Sequence, residues 1–445
     1  MKRKSITALM LGLTATVVAL GGCGADSKDK DGTKTGDKLT KDMEATLKIA
    51  CFSPTDSEYY AENDLQGAFQ ELYPNVSIEV EEYKDTGEYQ NAMKVRISAK
   101  ELPDIMYLQP DMITTYQDYL VDLTDIEAAA DNIYSEDYQT DGGLFALPAS
   151  SGETYVYYWK DMFDEAGIEV PDTWEEFTNA CTELSDYYSK ENPDFVALGM
   201  GAKDEWPTYP FMEYMPALTS GNGAEWTHMA NVDAPFKEGE SAYEAYKKVY
   251  DLFSSGVCGK DPLGVGHDQI ASLFYEKKVG MMVFAPTLYE AMKDAGVDVS
   301  ELSTFYLPVR NSEEEEFRTL VAGNKMFAVT KDGENPELAK AFLDFFFSEQ
   351  WYPDYINSSD DGTALKSIQK EKETALQAAD DLQPDPVKVR YQGGSQSFMD
   401  IVSKTKFDYK KLGAQFFIKD YDFEGEMERL NDLWKSAREE LGLTK

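Results

Sequence analysis

From Ala45 to Leu108 the chain alternates between two hydrophobic periods, and that alternation constrains its fold more than any other feature of the sequence. ATLKIACF reads as a strand, Glu58 to Leu72 as a helix, NVSIEVEEY as an alternating strand, Tyr89 to Lys100 as a helix, and PDIMYL as a buried strand. Strands that alternate with helices imply a parallel sheet joined by crossovers, which is an α/β fold. The 445 residues are enough for two or three such domains, each with its own core.

Two more helices are marked by their own termini. In DTWEEFTNACTEL, Thr173 precedes Glu176 by the spacing of a capping box, and Phe177, Ala180, Cys181, Leu184 and Tyr188 fall on one face. In NPELAKAFLDFFF, Asn335 is placed to cap, Pro336 takes the first helical position, and Leu338, Phe342, Phe345 and Phe346 form the apolar stripe.

Lys2, Arg3 and Lys4 precede a mostly apolar run from Ile6 to Leu20, shorter than the ~20 residues a spanning helix needs, which reads as an export signal. Leu20-Gly21-Gly22-Cys23 follows, and small residues before a lone cysteine resemble the lipobox of bacterial lipoproteins. The resemblance implies cleavage before Cys23, acylation of that cysteine, and a lipid anchor on the extracytoplasmic face of the cell membrane; two or more acyl chains anchor stably where one does not. Residues 1–22 are then a signal peptide. Residues 23–43 carry Lys, Asp, Gly and Thr without apolar periodicity and read as a flexible tether. Cys51 in a strand-like run and Cys181 on an apolar helix face read as core thiols. The odd number of cysteines beyond Cys23 excludes a fully paired disulfide framework.

The side-chain inventory excludes several kinds of chemistry. A formal net charge of −40 repels polyanions, so nucleic acid is not an expected partner. The two histidines, His228 and His267, are too sparse to build a Ser-His-Asp site or a zinc centre, and both read as surface or capping residues. No Walker sequence and no G-x-S-x-G occurs, and Gly264-Val265-Gly266 lacks the third glycine of a dinucleotide loop. No cofactor and no metal are therefore expected. Paired carboxylates stay available for glycoside chemistry, because 82 acidic residues leave many combinations open.

The segment from Gly142, GGLFALPASSGETYVYYWKDMFDEAGIEVPDTWEEF, carries Leu147-Pro148, Tyr158, Lys160-Asp161, Phe163, Gly167, Pro171, Thr173, Trp174 and Glu176 in order. In these residues the chain resembles the extracellular solute-binding proteins of bacterial carbohydrate ABC importers, the maltose-binding-like group. Pro103-Asp104-Ile105, Leu120 to Leu123, Phe274 with Lys278-Val279-Gly280-Met281, Leu307-Pro308, and Asn335 to Ala339 continue the match, which covers about Ala45 to Leu441. Trp159 departs from the family's usual asparagine, so the backbone bonding of that amide must be made otherwise. The resemblance implies a periplasmic-binding-protein-like α/β fold, two lobes joined by crossing hinge segments with a ligand cleft between them. Crossings are expected near Pro148 to Tyr155, Leu307 to Arg310, and Asn357 to Leu365, so that 44–150 with 309–357 form lobe I and 151–308 with 358–445 form lobe II. The function implied is that of a monomeric, non-enzymatic receptor that takes a sugar or oligosaccharide by lobe closure and delivers it to the transmembrane subunits of an ABC permease.

A sugar has apolar C–H faces and a hydroxyl rim, so its site needs flat rings and fixed polar groups. Gln109 and Asp111 follow PDIMYL, at the carboxyl end where open α/β sheets bind ligands, and Asp111 stands where relatives place a sugar-contacting carboxylate. Ser53 follows the first strand and offers a hydroxyl. Ser151 and Glu153 sit at the first crossing, and Trp206 and Tyr209 in KDEWPTYP match the position of family cleft aromatics. Pro286 matches the family's Gly-Pro-Trp turn, with Thr287 replacing the tryptophan and Phe284 placed to compensate. Gly323-Asn324 is expected in a glycine turn, where the backbone can approach closely and the amide can bond. Two rivals stay open. One is the same fold serving a non-sugar solute such as a polyamine, received by acidic and aromatic groups. The other is an envelope carbohydrate enzyme that uses two carboxylates.

Overall fold

The computed structural model describes residues 39–84, 86–140 and 142–444; the expected signal peptide, Cys23 and nearly all of the tether lie outside them. In chain order the strands are β1 (Ala45–Cys51), β2 (Val76–Glu82), β3 (Ile105–Leu108), β4 (Gln139–Thr140), β5 (Gly143–Leu144), β6 (Leu147–Glu153), β7 (Tyr155–Trp159), β8 (Val196–Gly199), β9 (Val279–Phe284), β10 (Leu302–Phe305), β11 (Arg318–Val329), β12 (Gly362–Thr363) and β13 (Val387–Tyr391). Seven of them form a sheet in the order β12-β6-β11-β3-β1-β2, with β13 paired to β11. Four more form a second sheet, β10-β7-β9-β8, and β4 with β5 makes a short hairpin.

The parallel sheet expected from the alternation holds only in part. β1 pairs in parallel with β2 and with β3, as helical crossovers require. β11 runs antiparallel to both β3 and β6, and β7 runs antiparallel to β9 and β10. β6, β7 and β11 lie where the chain changes from one core to the other, so no crossover helix fixes their direction. β6 continues into β7 across the single residue Thr154, which carries the chain from the seven-stranded to the four-stranded sheet.

Each sheet has its own core, which gives the α/β fold two lobes. One core takes Leu47 to Ala149 and Val321 to Leu365, including Phe69, Tyr107, Phe327, Phe342 and Phe346. The other takes Tyr155 to Leu320 and Ala375 to Ala437, including Trp159, Phe177, Tyr246, Phe274 and Trp434. The second change of core falls inside β11, between Leu320 and Val321, later in the chain than Leu307 to Arg310. A twelve-residue strand is long enough to belong to both cores, and the Leu307-Pro308 motif lies before that strand begins at Arg318.

Local chemistry explains the elements that were legible. Thr173 accepts from the Glu176 amide at 3.3 Å, and the Glu176 carboxylate accepts from the Thr173 amide at 3.0 Å, a complete capping box. Asn335 occupies the N-cap of Pro336–Phe346, but its side chain makes no capping bond; the helix is held by its buried stripe instead. The helix expected from Glu58 to Leu72 is two helices, Pro54–Glu62 and Leu65–Gln70. Asp64, at φ 50°, breaks the run, and its carboxylate restarts it by accepting from the Gly67 amide at 3.0 Å. Trp159, in the asparagine's place, holds the N-cap of Lys160–Ala166 without a side-chain capping bond: its indole N–H donates instead to the Phe274 carbonyl at 3.1 Å, and the Lys277 ammonium lies 4.6 Å from its ring.

Candidate functional site

A cleft of about 370 Å³ opens where the two sheets present their strand ends to each other. One wall comes from the seven-stranded lobe. Gln109 occupies the N-cap of the helix Pro110–Tyr116, directly after β3, and its amide makes no capping bond. Asp111 follows in the first turn, where its carboxylate faces backbone N–H groups at a helix start. Burial raises its pKa, and Lys410 and the amides of Asp111 and Met112 counter that rise. Gly323 and Asn324 complete this wall, lying within β11 rather than in a turn. The glycine is needed for packing: a Cβ there would meet Pro148 Cγ at 2.4 Å and the Tyr138 ring at 2.8 Å. Its amide donates to the Tyr138 hydroxyl at 3.0 Å, so the backbone approach it allows is to Tyr138.

The opposite wall is aromatic. Trp206, Phe284, Tyr209, Tyr214 and Tyr391 form a chain of edge-to-face contacts with successive centroid separations of 5.8, 5.9, 5.4 and 5.2 Å. Trp206 lies in a 3₁₀ turn after β8, and Tyr209 begins the short helix that follows, so the exit from β8 places both at a strand's carboxyl end. Trp206 is 38% exposed, a large ring left open to solvent. His267 closes the back of this wall. Its ring stacks on Phe284 at 4.7 Å and 23° and stands 4.7 Å from Trp206. Gly201 permits that approach, since a Cβ would come within 2.6 Å of the His267 amide nitrogen.

At the cleft floor Glu213 accepts the Tyr391 hydroxyl at 2.8 Å and the Tyr409 hydroxyl at 2.5 Å, one on each oxygen. Burial raises its pKa and the charge on Asp111 adds to the rise, while the tyrosine hydroxyls oppose it. Lys410 lies beside both carboxylates and is the cation that lines the cleft. The walls touch at one rim, where the Thr114 hydroxyl donates to the Gly394 carbonyl at 3.2 Å.

Of the residues singled out from sequence, Gln109, Asp111, Glu153, Trp206, Tyr209, Phe284, Gly323 and Asn324 meet in this cleft. Ser151 and Pro286 instead line a second cavity of about 280 Å³, which Glu153 also reaches. Side chains alternate along β6, so Ser151 points away from the face that carries Gly152, and its hydroxyl bonds to Tyr134. Ser53 lines neither cavity; its hydroxyl caps Pro54–Glu62 by accepting from the Asp56 amide at 3.3 Å. Asn324 donates to Asp361 at 3.2 Å, and Glu153 is bound by Lys372 at 2.6 Å and Lys388 at 3.4 Å. Sequence reasoning missed Glu213, Tyr214, Asp361, Tyr391, Tyr409 and Lys410; His267, read as a surface or capping residue, opens the helix His267–Tyr275 and is half-buried. No local pattern marks the missed residues: Tyr391 ends β13 and Tyr409 opens the helix Tyr409–Gln415, both far in sequence from the strand ends that carry the rest of the cleft.

A two-lobed α/β body with a cleft of this make-up, opening where the lobes' strand ends meet, is the architecture of a solute receptor. The model of the family described as bacterial extracellular solute-binding protein matches residues 53–353, more than half of the chain, and the chain belongs to that family. It is 20% identical over 384 residues to the multiple sugar-binding protein of Streptococcus mutans, covering 83% of this chain and 84% of that one. It is also 26% identical over 180 residues to the melibiose/raffinose/stachyose-binding protein MelE of Bacillus subtilis, covering 40% of this chain and 39% of the relative. Among solved structures, apo RafE from Streptococcus pneumoniae superposes with a TM-score of 0.69 at 17% identity, covering 90% of this chain and all of that one. A manno-oligosaccharide-specific solute-binding protein of Bifidobacterium animalis subsp. lactis, in complex with mannotriose, superposes at 0.70 with 18% identity, covering 90% and 96%. Among the described residues, no helix is long and apolar enough to cross a membrane.

Proposed function

We propose that this solute-binding protein takes a neutral oligosaccharide of a few rings into the cleft between its lobes and delivers it unchanged to an ABC permease. The observation that carries the reading is the pairing of a five-ring aromatic wall with an opposed wall of amide and carboxylate groups. Aromatic faces suit the C–H faces of pyranose rings, and Gln109, Asp111 and Asn324 suit their hydroxyls. Relatives named for multiple sugars, for melibiose, raffinose and stachyose, and for manno-oligosaccharides support the ligand class. Burial that raises both Asp111 and Glu213 disfavours their charged forms, which suits hydroxyl partners better than the ammonium groups of a polyamine. The lobes close over the solute because closure adds the second wall's contacts, and only that differential affinity shifts the equilibrium. The chain is tethered outside the cell through lipid on Cys23.

Calorimetry and thermal shift with raffinose, stachyose, mannotriose and chitotriose, against spermidine as the cationic competitor, test the ligand class. A sugar raises the melting temperature by mass action. A shift with spermidine alone overturns the reading, and sugar recovered in altered form after incubation overturns its non-enzymatic part. Radiolabelled palmitate incorporated by the wild type and lost in Cys23→Ser tests the anchor.

A further inference from the structure

The three segments that pass between the lobes lie side by side: β12 pairs with β6, and β6 pairs with β11. Two buried carboxylates are fastened across this ribbon. On the cleft face Asp361, just before β12 and 6% exposed, accepts the Ser150 hydroxyl of β6 at 2.7 Å and the Asn324 amide of β11 at 3.2 Å, on the same oxygen. Ser150 and Asn324 are register partners, so one carboxylate spans all three segments at one level. Glu153 lies three residues beyond Ser150 on β6, level with Val321 of β11, and carries the second clasp. It is 8% exposed and accepts Lys372, from the segment that leaves β12, at 2.6 Å, and Lys388, from the strand paired to β11, at 3.4 Å. Lys372 in turn reaches Asp380 in the four-stranded lobe at 2.7 Å.

We propose that Asp361 and Glu153 are positioning residues of the hinge, which clasp the crossing ribbon at two levels along β6 so that the lobes swing about it as one piece. Neither carboxylate has to touch solute to affect binding. Asp361 spends one oxygen on β6 and β11, and Glu153 is held by Lys372 and Lys388 as well as by the hydroxyl of Tyr155 on β7, so releasing one of these partners leaves a buried carboxylate less compensated. A residue that merely stabilised its own strand would not link segments more than 200 residues apart in sequence.

Hydrogen exchange followed by mass spectrometry on the full, unliganded chain distinguishes these roles and needs no knowledge of the solute. In Glu153→Gln and in Asp361→Asn, amides of Leu147–Glu153, Arg318–Val329 and Gly362–Thr363 exchange together at least tenfold faster than in the wild type. Lys388→Met, which removes only the half-exposed partner, gives a smaller rise in the same three segments and carries the test should Glu153→Gln fail to fold. Glu225→Gln, which neutralises a buried carboxylate away from the ribbon, leaves the three segments unchanged. Faster exchange confined to the substituted residue's own segment, or no change in folded variants, overturns the proposal.

Discussion

The seven-stranded lobe gives the cleft an amide, a carboxylate and a second amide on a strand and a helix start, whereas the four-stranded lobe gives it four rings in edge-to-face contact, which Tyr391 of β13 continues, and a half-buried carboxylate that two tyrosines hold. The two walls ask different things of a solute. Rings reward any flat apolar face of the right size, while the amides and carboxylate reward hydroxyls at particular positions. Affinity should therefore reside largely in one lobe and selectivity among sugars largely in the other.

That contrast can be broken or sharpened at several levels. The largest effects concern the cores on which the walls stand. Phe346→Ala and Phe274→Ala, each fully buried in its own lobe, should cost about 3–5 kcal/mol of stability. Urea unfolding should then show two transitions, with the early one belonging to the lobe that was cut; a single shifted transition would show that the lobes unfold as one. Next comes the aromatic wall. Trp206→Ala should weaken mannotriose or raffinose binding by about 2 kcal/mol, roughly thirtyfold, with similar losses across sugars, as calorimetry would measure. The polar wall should respond less and less evenly. Asp111→Asn and Gln109→Ala should each cost about 1 kcal/mol, roughly fivefold, for the preferred sugar and leave poorly bound sugars almost unaffected. Equal losses for every sugar would erase the proposed division of labour.

The smallest effect is one of sign. Burial raises Glu213, so its contribution to stability is complete below the ordinary carboxylate value of 4.5 and is lost as pH rises through the folded value. Burial also pushes Glu153 upward, but Lys372 and Lys388 outweigh it and hold the pKa down. Its contribution is therefore present above 4.5 and lost as pH falls through the folded value. Melting temperatures across pH should flatten toward high pH in Glu213→Gln and toward low pH in Glu153→Gln.

Much of the architecture was legible because it is written locally. The capping box at Thr173 and Glu176, the stripe of Leu338, Phe342, Phe345 and Phe346, and β1, β2 and β3 are patterns within a dozen residues, and the chain folds them as read. The cleft was legible where it follows a strand end, at Asp111 and Trp206. It was illegible where it depends on contacts between distant segments: Tyr391 meets Glu213 across 178 residues, and Asn324 meets Asp361 through a strand that reads as a turn because it contains glycine. A side chain's type fixes what it can bond, but only the topology decides whether solute or protein supplies the partner, as Glu153 and Ser53 illustrate.

The unequal burial of the tryptophans has a practical consequence. Trp159, Trp174, Trp226, Trp351 and Trp434 are all 9% exposed or less, while Trp206 is 38% exposed at the mouth of the cleft. Five indoles thus give a constant emission background, and the sixth changes its surroundings when something settles against it. The molecule carries its own optical gauge of occupancy, and the whole of that signal should vanish with Trp206→Phe.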